Sequence, residues 1–252
     1  MTVRQLYTLL CEKISPSLSE IWDNDGLMCC PDPEREVRRV LFALDVTDSV
    51  VDHALATQAD VIISHHPLVF AKLSALTVDE PVGKKLIRLT GAGISAFSFH
   101  TRFDRVSGGV NDVLAKTIGL SDVSALGEGE ASLGRIGTLP ETMSLPDFAE
   151  YVKRALGVPF VCVADASRSV RRVAVVGGEG KDFISIAREA GADTYLSGRL
   201  GYHNMQDSDI NLIEAGHYFT ERPALWALME TVNTLDPTLT TEIYTPNPIS
   251  IY

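Results

Sequence analysis

The stretch Val61-Ile-Ile-Ser-His65-His66-Pro67 decides the fold: a short β-branched apolar run that stops at two adjacent histidines and a proline. Three such residues and a serine, bounded by a turn signal, predict a buried strand, and open α/β sheets gather ligands outside the carboxyl ends of their strands. Pro67 bars helical geometry for His66 and keeps the pair extended, so the two imidazoles point different ways. Two neighbouring ions could take one ring each, whereas one ion would fit both awkwardly. One histidine packing in a turn while the other faces water is the plainer alternative, and the rest of the chain bears on it.

Working outward, Val37–Leu44 reads as a strand, 47–58 as a helix and 60–64 as the next strand, a βαβ unit. A helix over about 81–91 leads to the strand 93–99, then to His100-Thr-Arg-Phe-Asp104, and Gly108-Gly109 opens a helix to about 118. Upstream lie an amphipathic helix over 3–14, stopped before Pro16, and a turn at Trp22-Asp-Asn-Asp-Gly26. A constant offset of 133 aligns 37–64 with 170–197 without gaps, with eight identities in 28 positions, including Val37/Val170, Arg38/Arg171, Asp60/Asp193 and Ser64/Ser197. The unbroken register predicts an internal duplication. Its second half has strands at 170–176 and 192–196, a helix at 181–190, and a strand 211–216 ending in His217-Tyr-Phe-Thr-Glu221 before a helix to about 234. So His-x-x-x-Asp in one half answers His-x-x-x-Glu in the other.

The expected architecture is α/β: two similar, duplicated α/β domains, 1–125 and 126–252, with a metal site in the cleft between them. Leu120–Glu130 reads as the connection, followed by a strand near 133–139, a helix near 145–156 and a strand near 159–164. The tail 236–252 is extended, broken by prolines, and assignable to neither half from its pattern.

The 252 residues carry a net charge of -11, against general nucleic-acid binding and for a soluble cytoplasmic protein. Charges interrupt the N-terminal helix, so it predicts neither a signal peptide nor a membrane span. Cys11, Cys29, Cys30 and Cys162 follow no zinc or redox spacing and read as reduced, mostly buried thiols.

His65, His66, Asp104, His217 and Glu221 thus stand at strand ends or first helical turns, a donor set suited to Zn, Mn, Fe or Co. Two divalent ions about 3.5–4 Å apart would use all five, with Glu221 bridging. Four positive charges against two carboxylates leave the site positive, which suits a phosphorylated small molecule or nucleotide despite the acidic exterior. His100 is then an acid/base candidate. Asp45 could orient a ligating histidine or cap a turn. His53 reads as scaffold or surface, Gly177-Gly178-x-Gly180 as a structural turn, and Arg102, Arg105 and Arg199 as possible phosphate contacts.

Ser64-His-His-Pro67, His100-Thr-x-x-Asp104 with Gly108-Gly-Val-Asn-Asp-Val-Leu-Ala115, and Gly216-His-Tyr-x-Thr-Glu221 resemble the GTP cyclohydrolase 1 type 2 family, also called NIF-three-like. Trp22-Asp-Asn-x-Gly-Leu27, Leu44-Asp-Val-Thr47 and Val176-Gly-Gly-x-Gly180 agree with it. The resemblance implies paired α/β domains, a dinuclear metal site between them and a ring-shaped homohexamer. It assigns metal contacts to His65, His66, Asp104, His217 and Glu221, with the glutamate bridging, and GTP ring opening with formate release as the reaction. The competing expectation is a metal-binding regulatory or partner-binding protein without catalysis. Ser197-Gly198-Arg199 departs from the family pattern, placing arginine where an acidic residue is usual.

Overall fold

The computed structural model describes residues 1–127, 133–247 and 249. In chain order its elements are α1 (Val3–Lys13), β1 (Gly26–Cys29), β2 (Arg39–Ala43), α2 (Asp48–Ala56), β3 (Val61–Ser64), α3 (Pro81–Ala92), β4 (Ser95–Ser98) and α4 (Thr101–Arg105). There follow α5 (Val110–Thr117), β5 (Ser121–Leu126), β6 (Gly134–Met143), α6 (Leu145–Leu156), β7 (Cys162–Ala164) and β8 (Val170–Glu179). The chain continues through α7 (Ile184–Glu189), β9 (Thr194–Arg199), β10 (Asn211–Glu214), α8 (His217–Glu221), α9 (Ala224–Leu235) and β11 (Thr240–Ile243).

Two compact units result, one of Met1–Phe103 with Leu225–Tyr252 and one of Asp104–Ala224. The sequence expectation put the division at 125/126. The compact units divide instead at 103/104 and 224/225, because β11 adds in parallel to the free edge of β2. Nothing in the proline-broken tail announces which sheet it will complete. Residues 128–130 of the expected connection, and 248 and 250–252 of the tail, lie outside the described residues, while 121–126 of that connection is strand β5, paired with β6.

The first unit's sheet runs β1-β4-β3-β2-β11, parallel except for β1. Strands β3 and β4 are buried throughout, as parallel strands covered on both faces must be. On one face Leu41, Ile62 and Ala96 meet Val50, Val51 and Ala54 of α2 and Leu89 of α3. On the other, Tyr7 of α1 lies against Phe97, ring centroids 5.1 Å apart. A capping box between Thr2 and Gln5 starts α1, and left-handed Gly93 ends α3. Gly91, inside α3, has open space where a Cβ would stand. Gly91→Ala is therefore expected to raise stability by about 0.5–1 kcal/mol, read as a higher midpoint in urea with unchanged slope.

The second unit's sheet runs β5-β6-β8-β9-β10-β7, with β8, β9 and β10 parallel. Alternate residues serve its two faces: Val173, Val175, Leu196 and Ile213 pack with Leu114 of α5 and Phe148 and Val152 of α6. Ala174, Val176, Tyr195 and Leu212 pack with Ala187 of α7.

The duplication is visible in backbone chemistry. Asp60 Oδ2 accepts the amides of Arg38 and Arg39 at 2.9 and 3.0 Å, and Asp193 Oδ2 accepts those of Arg171 and Arg172 at 2.9 and 2.7 Å. Ala59 and Ala192 donate to Ala54 and Ala187, and the carbonyls of Ser64 and Ser197 accept from the first residue after β4 and β10, Phe99 and Ala215. The order β1-β4-β3-β2, with an antiparallel edge, recurs as β7-β10-β9-β8.

Three expectations need correction. The helix expected over 181–190 is a 3-10 turn at Lys181–Phe183 followed by α7. The helix expected from 221 to 234 is α9, which starts only at Ala224; Glu221 ends the separate helix α8, and Arg222-Pro223 interrupts between them, since proline has no amide to continue the ladder. The cysteines are all free, but Cys162 is exposed on edge strand β7 and the other three are only half-buried. Among the described residues no helix is long and apolar enough to cross a membrane.

Candidate metal centre

His65 and His66 directly follow β3, and His100 lies two residues past β4, so adjacent parallel strands deliver three imidazoles to the same carboxyl end of the sheet. Each could offer one ring nitrogen, and the three atoms lie within 4.8 Å of one another. The rings sit 4.9–5.6 Å apart, centroid to centroid.

All three are oriented through Nδ1. His65 Nδ1 is 2.9 Å from the Phe99 carbonyl oxygen, His66 Nδ1 is 2.8 Å from Asp45 Oδ1, and His100 Nδ1 is 2.9 Å from Asp23 Oδ1. A carbonyl or carboxylate accepting from Nδ1–H fixes the tautomer that carries its lone pair on Nε2. Asp45 therefore orients a histidine, the first of its two sequence readings.

Sequence reasoning took Trp22-Asp-Asn-Asp-Gly26 as a turn and missed its main task. Asp23, its side chain fully buried, holds His100 and also accepts from the Thr101 amide at 3.1 Å and hydroxyl at 2.6 Å. Burial pushes the Asp23 carboxyl up, but the hydrogen bonds from His100 and Thr101 outweigh it and hold the group at about 2. Asp25 Oδ2 accepts from the His100 amide at 3.2 Å and from Arg102 Nε at 3.0 Å. Two aspartates flanking one residue, directly before a glycine, were the available signal; their distant partners were not visible.

Arg102 is no phosphate contact. It is 1 % exposed, donates to the Ile14 and Ser98 carbonyls, and lies over the Phe99 ring at 4.4 Å. Arg199 is exposed at the end of β9, opposite Glu179. His53 is scaffold: it stacks on Tyr244 at 4.0 Å and meets Glu242 at 2.8 Å, pinning β11 to α2.

The second unit brings Asp104, His217 and Glu221 together. His217 Nε2 lies 3.1 Å from Glu221 Oε2, one helical turn apart on α8, and Asp104 and Glu221 bring carboxylate oxygens within 4.8 Å of each other. Asn111, fully buried, ties the parts: its Nδ2 donates to the Asp104 carbonyl at 3.2 Å and its Oδ1 accepts the Gly177 amide at 2.7 Å. The Gly178 amide donates to Thr220 Oγ1 at 3.1 Å and that of Gly180 to the Arg199 carbonyl. These amides are engaged inside the protein rather than turned to a phosphate, but the run is not the turn expected: Gly177, Gly178 and Glu179 are the last residues of β8, whose pairing with β9 is irregular there. It lets α8 approach the end of β8.

Imidazoles with Nδ1 anchored, in the first unit, and an imidazole with two carboxylates, in the second, are each donors of the kind a borderline divalent ion takes. Repeated parallel α/β units bearing such a set at their strand ends define a class of α/β proteins with a candidate metal centre. The chain belongs to the Duf34/NIF3 (NGG1p interacting factor 3) family, which it matches over residues 1–248. It is 35% identical over 233 residues to a protein of Clostridium perfringens named GTP cyclohydrolase 1 type 2 homolog, covering 88% of each chain. A Nostoc protein of the same name is 36% identical over 244 residues, covering 94% of this chain and 93% of that one. The crystal structure of a Staphylococcus aureus hypothetical protein superposes with a TM-score of 0.90 at 27% identity, over 100% of this chain and 99% of the other.

Proposed function

We propose that the chain is a dinuclear divalent-metal hydrolase acting on a phosphorylated small molecule, with GTP as the leading substrate. In this reading His65 and His66 from the first unit and Asp104, His217 and Glu221 from the second share one pair of ions, Glu221 bridging. The observation that carries it is the anchoring of three imidazoles through Nδ1, which commits their Nε2 lone pairs to one small region. The names of the relatives supply the substrate.

Ions of this kind, held by these five residues, would supply a nucleophilic hydroxide at neutral pH. The chain's own residues do the rest. Asp45 and Phe99 fix the ligand rings, and Asp23 fixes His100, the imidazole that gives or takes a proton at Nε2. A ring-shaped homohexamer in the cytoplasm belongs to the same reading.

Elemental analysis of freshly purified protein should find about two transition ions per chain. The protein should release formate from GTP, and Glu221→Ala should reduce this to background. Metal with no turnover of GTP or other nucleotides, unchanged by Glu221→Ala, would instead assign a regulatory protein. An absence of metal after reconstitution would defeat both readings.

A further inference from the structure

Trp22 and Phe70 are large aromatic side chains left 64% and 56% exposed. They are not loose. Trp22 directly precedes Asp23, whose carboxylate has four hydrogen bonds, from His100, Thr101 and Asn24, and Asn24 Nδ2 donates to the Val69 carbonyl at 2.5 Å, joining the two segments that carry the rings. The indole and the phenyl ring meet at 6.3 Å, and each meets His100 at 6.3 Å nearly perpendicularly, at 78° and 85°. Two fixed aromatic walls therefore stand against the imidazole cluster.

We propose that Trp22 and Phe70 form a stacking subsite for the planar nitrogen heterocycle of the substrate, placing it beside His100. The proposal rests on the reading above and gives its substrate an aromatic base as the recognised part. Planar nitrogen heterocycles stack on indole and phenyl faces whatever the base, and each stacked base contributes substantially to affinity. The size fits one such ring: the two side chains together expose on the order of 200 Å². A stable contact with another protein needs about 800 Å² on each side.

The test uses the full chain carrying Trp226→Phe, which leaves Trp22 as the single fluorescent indole, since the sequence has two tryptophans. Metal is first removed by chelation, so that the outcome does not depend on the metal reading. Guanosine 5′-monophosphate is expected to quench Trp22 saturably, while ribose 5-phosphate, which has no heterocycle, does not. Phe70→Leu in this background, and Trp22→Leu followed by calorimetry, should each weaken binding of the nucleotide at least about tenfold. Metal content after reconstitution and mass by light scattering should match the parent.

Equal responses to the two ligands, or variants that bind like the parent, would overturn the subsite. So would a change of oligomeric state in Trp22→Leu with nucleotide binding intact, which would assign the rings to contact between copies of the chain. Loss of metal binding in the parent, with stacking retained, would remove the proposed function and leave the subsite standing.

Discussion

Asp25→Ala is expected to lower unfolding stability by about 3–5 kcal/mol, the range for stranding one member of a buried ion pair. Arg102 is 1 % exposed and its Nε donates to Asp25 Oδ2 at 3.0 Å. Burial works against the guanidinium charge, and the Asp25 carboxylate with Tyr7 and Cys11 more than offsets it, keeping the group above its usual value. An arginine cannot shed its proton, so removing the carboxylate leaves a buried cation facing neutral groups: carbonyls, a thiol, the Tyr7 phenol and an aromatic ring. The Ser19 hydroxyl and the His100 amide lose their acceptor at the same time. At the usual entropy for a chain of this size the melting temperature should fall by about 10 °C. The double variant Asp25→Ala/Arg102→Met should recover much of the loss, because an apolar chain of similar length needs no counter-charge. If the single and double variants melt together, the cost lies in the turn and not in the pair.

This ion pair marks where reading the sequence stopped. Periodicity found the strands at 61–64 and 95–98, and the offset of 133 found the repeat, because those signals are local and the repeat carries its capping aspartates, Asp60 and Asp193, in register. The clustering of His65 with His66 follows from strand geometry alone. The edge that β11 completes, the burial of Arg102 and the attachment of Asp23 to His100 depend on residues 77 or more apart meeting in space. No local pattern encodes such a meeting. An arginine beside a histidine motif reads as an anion contact until its counter-ion is located. The break between α8 and α9 was legible in Pro223, but an apolar pattern running through it concealed the stop.

Gly178→Ala should cost about 2–4 kcal/mol and sharply lower metal retention, and these two effects have separable origins. The first is backbone: Gly178 sits at φ +66, where an alanine pays roughly 1–2 kcal/mol. The second is contact, because the new Cβ would overlap Glu221 Oε1 and lie 3.2 Å from His217 Nε2. Glu221 is 4 % exposed, so its carboxylate cannot swing into water without opening the packing of α8 on β8. Gly108→Ala supplies the control: that residue has φ +78 but nothing within 4 Å of an added Cβ, so it carries the backbone cost alone. Gly108→Ala should then lose about 1–2 kcal/mol and keep its metal, and the excess loss in Gly178→Ala measures the displacement of the carboxylate. Should the two variants lose equal stability and retain equal metal, the approach of α8 to Gly178 would have no bearing on how His217 and Glu221 are held, and the glycine would answer to its backbone conformation alone.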